Sequence, residues 1–70
     1  MKRKLRWVLR SYDGDEVFSG LSYGSFVEDE AVARALRTSP PPPGHALLVY
    51  LDNHEVARIE GSRHTLDTLM

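Results

Sequence analysis

The chain contains no cysteine. Disulfides, thiol nucleophiles and thiolate zinc sites are therefore excluded. A cysteine-free chain suits a reducing compartment, and a cytoplasmic location is the expectation. Long apolar runs are also missing. None approaches the roughly 20 residues that a membrane-spanning helix needs, so no membrane association is expected. The opening, Met1-Lys2-Arg3-Lys4-Leu5-Arg6-Trp7, starts with charge as a secretory leader does, but Arg10, Asp13 and Asp15 break the apolar stretch that should follow. No signal peptide is expected.

Motifs for chemistry are equally scarce. The histidines His45, His54 and His64 stand alone, with no pair at i+3 or i+4 to share a metal. Asp13, Asp15 and Glu16 crowd one turn, yet the further oxygen ligands of a calcium loop are absent. A hairpin tip is also too wet for general acid–base work. No G-x-S-x-G elbow and no glycine-rich nucleotide loop occurs. Tyr23-Gly24-Ser25 leads into a helix N-terminus, a place that favours anions, but Glu28, Asp29 and Glu30 follow at once. The expectation is a protein that is not an enzyme and has no cofactor and no metal.

What remains suits one small domain over residues 1–70. The hydrophobic fraction of 41% is enough for a core. A chain this short buries a modest share of its surface, so a second subunit would help it. The net charge of −1 conceals a segregation: residues 1–12 hold five bases and no acid, and residues 13–30 hold six acids and no base. Either the two stretches lie together and neutralise one another, or they steer a charged partner.

Leu5, Trp7 and Leu9 alternate with Arg6, Val8, Arg10 and Tyr12, which predicts a strand with one apolar face. Asp13-Gly14 predicts a two-residue type I′ turn, and Glu16 to Leu21 the returning strand. That pairing sets Leu9 opposite Phe18 and Trp7 opposite Gly20, where the indole covers the glycine. Ser22-Tyr23-Gly24-Ser25 reads as a loop. Ser25 and Glu28 form an S-x-x-E capping box that starts a helix. Val27, Ala31, Val32, Ala35 and Leu36 make its apolar arc, and Pro40–Pro43 end it. Ala46 to Leu51 is apolar on both faces, the mark of a central strand. Asp52-Asn53-His54 turns the chain into a last strand, Glu55 to Glu60. Ser62 caps a short terminal helix carrying Leu66, Leu69 and Met70. Asp13-Gly14-Asp15-Glu16-Val17 also echoes Asp52-Asn53-His54-Glu55-Val56, either as an old duplication or as two turns of like chemistry.

The expected fold is α+β, a small antiparallel sheet of two hairpins with one main helix between them, in the order ββαββ. The expected function is a small protein-binding module, such as a stand-alone inhibitor or adaptor of the kind phages and mobile elements carry. Candidate contacts for a protein partner are Tyr23, Glu28, Asp29, Glu30, Leu48 and Tyr50. The alternative is weak nucleic-acid binding through Lys2, Arg3, Lys4, Arg6 and Arg10, with Trp7 and Tyr12 interleaved. Apolar residues on both faces of the third strand also make the chain a homodimer candidate.

Overall fold

The computed structural model describes residues 2–61, and the expected terminal helix lies outside them. The elements are β1 (Arg3–Ser11), β2 (Glu16–Gly24), α1 (Glu28–Thr38), β3 (His45–Leu51) and β4 (His54–Glu60). The four strands form one antiparallel sheet in the order β2-β1-β3-β4, and the fold class is α+β. Both β1 and β3 are central. For β3 this is what an unbroken apolar run requires. The edges are β2 and β4.

The alternation in β1 sorts its side chains as expected. Leu5, Trp7 and Leu9 stand in register with Leu51, Val49 and Leu47, and α1 closes over this face. Leu5, Leu47 and Val49 have no exposed surface, and each contributes about 1.5–3 kcal/mol by leaving water. Ala31 and Ala35 are the buried residues of α1. Their small side chains let the helix backbone approach the sheet. The helix contacts β3, β1 and β4 but not β2.

Trp7 fixes the fit between hairpin and helix. Gly20 pairs with it across the hairpin, and a Cβ at that glycine would lie 2.7 Å from the indole nitrogen. The glycine therefore makes room for the ring. The indole N–H donates to Ser39 Oγ at 3.2 Å, so the ring locks β1 to the C-terminal cap of the helix.

Three local expectations are corrected. The first hairpin has no two-residue type I′ turn. Gly14 N–H bonds Ser11 O and Ser11 N–H bonds Asp15 O, and Gly14 has positive φ while Asp13 does not. This is a three-residue loop closed by a glycine bulge. A second irregularity between Leu9 and Arg10, where Val17 is the extra residue, restores the expected register of Leu9 with Phe18 and Trp7 with Gly20. The type I′ turn is in the second hairpin, where Asp52 and Asn53 have φ of 53° and 69°. The two look-alike turns thus differ in conformation.

Second, β2 continues through Ser22-Tyr23-Gly24, which had read as a loop. Third, because the chain stays extended so long, Ser25 is not the cap. Val27 occupies the N-cap with no side-chain bond, and α1 starts when Ala31 N–H reaches Val27 O. Val27 and Leu36, placed in the apolar arc, are 56% and 38% exposed.

The proline run brings the chain back to the sheet. His45 N–H bonds Pro42 O, Tyr12 N–H bonds Gly44 O, and Gly61 N–H bonds His45 O. These bonds tie the tip of the first hairpin and the end of β4 to the same loop.

Candidate functional site

The helix covers one face of the sheet, and no described element lies over the other. By the pleat, Lys4, Arg6, Val8 and Arg10 of β1 share this open face with Tyr23, Leu21 and Ser19 of β2 and with Tyr50, Leu48 and Ala46 of β3. Arg58 and Glu60 extend it onto β4 as partners of Leu48 and Ala46. Val8, Ala46 and Leu48 are nonetheless 1%, 3% and 6% exposed. Their neighbours are long and amphipathic, and the aliphatic stems of Arg6, Arg10 and Arg58 shield the apolar floor while their charged heads stay wet.

The heads are placed by specific contacts. The Arg6 guanidinium lies 5.3 Å from the centre of the Tyr50 ring, a cation–π arrangement. Arg58 Nε is 3.7 Å from Glu60 Oε2, and the Tyr12 hydroxyl donates to Glu60 Oε1 at 3.2 Å. Between these groups is a shallow cavity of about 460 Å³, with Ala46 and Leu48 as its floor and Arg10, Arg58, Tyr12 and Glu60 on its walls. Arg10 makes no ion pair within 4.0 Å among the described residues. The site combines two guanidinium groups, a phenol and a dry floor, which suits an acidic group carried on an apolar body.

The candidate partner contacts divide between two surfaces. Tyr23, Leu48 and Tyr50 share the open face, with Tyr23 60% exposed and Leu48 buried. Glu28, Asp29 and Glu30 form the exposed first turn of α1 in the other layer. The basic set divides as well. Lys4, Arg6 and Arg10 lie along the open face, and Lys2 is exposed just before it. Trp7 is in the core. Arg3 is directed elsewhere: its Nε donates to Asp52 Oδ2 at 2.8 Å and its Nη1 to Phe26 O at 3.4 Å. Asp52 Oδ1 also accepts from Lys4 N–H at 3.0 Å. The bond from Arg3, then the bond from the Lys4 amide, hold the Asp52 carboxyl below the usual carboxylate range. Arg3 thus fastens the second hairpin turn to β1.

Sequence reasoning missed Ala46, Arg58 and Glu60 as members of the site. Only the β1–β3–β4 order brings Glu60 into line with Arg10, and Arg58 into line with Val8, through β3.

A second concavity of about 380 Å³ flanks the helix, lined by Phe26, Glu30, Arg34 and Arg37 among others. Arg34 lies 5.7 Å from the Phe26 ring centre. Among the described residues no three histidine, aspartate or glutamate side chains are grouped to hold a metal ion, and no helix is long and apolar enough to cross a membrane. Comparison with family models, with curated proteins and with solved structures returns no match to this chain.

Proposed function

We propose that the chain is a small non-catalytic protein-binding module, an inhibitor or adaptor that presents the open face of its sheet to a larger protein. The observation that carries this reading is the makeup of that face. A dry floor of Val8, Ala46 and Leu48 is ringed by Arg6, Arg10, Arg58 and Tyr50. Protein interfaces are enriched in arginine and tyrosine around an apolar centre. The partner surface that fits is acidic at its rim and apolar at its centre.

The reading is tested by affinity enrichment from an extract of the cell that makes the protein, with quantitative mass spectrometry. Wild type and an Arg34→Glu/Arg37→Glu variant of the helix surface should enrich the same protein. Arg10→Glu/Arg58→Glu should lose it by more than tenfold. Equal recovery by both double variants would refute the use of this face.

Nucleic acid is the second reading, favoured by the line of Lys4, Arg6 and Arg10 on one face. Two features oppose it. Glu16 and Glu60 flank Arg10 in register or on the cavity wall, so a phosphate at Arg10 meets carboxylates. The Tyr50 ring already carries the Arg6 guanidinium, so it is not free to stack on a base. Binding that is submicromolar at physiological salt and falls steeply as salt rises would reverse this order.

A further inference from the structure

The two edges of the sheet are built differently. β4 carries His54, Glu55, Arg58 and Glu60 and has an irregular register between Val49 and Tyr50 of its partner. Charges along its length discourage edge-to-edge pairing, whereas an irregular register is common to both edges. β2 has one charged residue in nine, Glu16 at its start. Val17, Phe18, Leu21 and Tyr23 are 56%, 50%, 55% and 60% exposed. Because α1 does not reach β2, Phe18 is uncovered on the helix side as Leu21 and Tyr23 are on the open side. A long, nearly uncharged edge of this kind is a template for another strand.

We infer that a second copy of this chain docks there, β2 against β2 in antiparallel order, so that two four-stranded sheets become one of eight strands. Charge complementarity selects this occupant. β1 runs antiparallel behind β2 and places Lys4 opposite Tyr23, with Lys2 beyond it, while Glu16 stands at the other end of β2. A two-fold axis brings Glu16 of each copy level with Lys2 of the other, and Lys4 lies next along the same strand.

Shape agrees with charge. The bulge at Val17 leaves Phe18 to Gly24 regular. An axis at its midpoint, Leu21, sets Leu21 on Leu21, Tyr23 against the small Ser19, and Phe18 at Gly24, where it meets the Phe26 ring that lies over the glycine. The interface is self-complementary, as a two-fold dimer requires. One strand pair with four exposed apolar side chains per copy is a small interface, so dissociation on the order of micromolar is expected. The open face of each copy stays free, and this inference stands apart from the partner-binding reading.

The test is sedimentation equilibrium from about 1 µM to about 1 mM. The wild-type mass should rise from 7.9 kDa toward twice that value. Leu21→Lys, and separately Tyr23→Lys, should stay monomeric with native Trp7 fluorescence, since both side chains are more than half exposed. Glu16→Lys should weaken the dimer roughly fivefold, and adding Lys2→Glu to it should restore the loss. A wild-type monomer at the top of the range would overturn the inference. So would a dimer that survives both lysine variants, or one that only Arg10→Glu/Arg58→Glu dissociates.

Discussion

Adding one methyl group at Gly20 should destabilise the protein more than its position on an edge strand suggests. Gly20 is the cross-strand partner of Trp7. An alanine Cβ would lie 2.7 Å from the indole nitrogen and would also overlap Cε2 and Cζ2. The ring has little room to retreat, since it is 6% exposed and packed among Leu5, Val49 and Ala35 of the core cluster. Overpacking of this kind costs about 1–3 kcal/mol. If the ring tilts, its N–H loses Ser39 Oγ, and a buried donor left unpaired costs about 1–3 kcal/mol more. The sum is about 2–6 kcal/mol. At roughly 0.05–0.15 kcal/mol per residue the whole chain is worth only about 4–10 kcal/mol. Gly20→Ala should therefore lose a large share of the chain's stability and unfold at a much lower urea concentration than wild type. Trp7 is the only tryptophan, so urea titration followed by its fluorescence reads the site directly. Gly24→Ala is the control: its Cβ would lie 3.1 Å from a Phe26 ring atom at the periphery, and about 1 kcal/mol or less is expected. If Gly20→Ala lies within about 0.5 kcal/mol of wild type, the packing of Trp7 on Gly20 is refuted.

Ser39→Ala removes the acceptor for the Trp7 N–H and should cost about 1–3 kcal/mol in urea denaturation; no change in midpoint would show that the bond is not formed. Ser25→Ala should lie within about 0.5 kcal/mol of wild type by thermal unfolding, because Val27 occupies the cap without a side-chain bond, whereas a loss near 1 kcal/mol would restore Ser25 as the cap. Gly14→Val should cost about 1–3 kcal/mol by the same measurement, since Gly14 has φ of 99°. Asp52→Asn keeps a residue that accepts positive φ and removes the charge that Arg3 holds. The carboxyl titrates below its usual range when folded, so its stabilisation is present at neutral pH and lost as pH falls through and below that range. The stability gap between wild type and Asp52→Asn should close on acidification, and a gap that widens would contradict the pairing.

Much of the fold was legible because its signals are local. Alternation in β1 assigned Leu5 and Trp7 to the core, and the unbroken run Ala46 to Leu51 marked a central strand. The register of Trp7 on Gly20 was also readable, although for a partly mistaken reason: a three-residue loop and a bulge at Val17 together shift the pairing as a two-residue turn would. The misreadings arose where tertiary contacts compete with local chemistry. Gly44 O takes the Tyr12 N–H and favours the longer loop. Pairing of β2 with Lys4 and Arg3 extends the strand to Gly24 and moves the helix start past Ser25. The candidate site was legible only in part. Arg6, Arg10, Leu48 and Tyr50 stood out by type, but placing them on one surface requires β1 beside β3, and no residue in the sequence states that order. Arg58 joins only through β4.

On the proposed function, the open face of the sheet receives the protein partner. NMR titration of isotopically labelled protein with the enriched partner tests it most directly, because side-chain signals distinguish the two faces of one strand. The Arg6, Arg10 and Arg58 Nε–H signals and the Val8 and Leu48 methyls should shift, while the Leu47, Val49 and Leu51 methyls beneath the helix should stay in place. Shifts confined to α1, from Glu28 to Thr38, would contradict it.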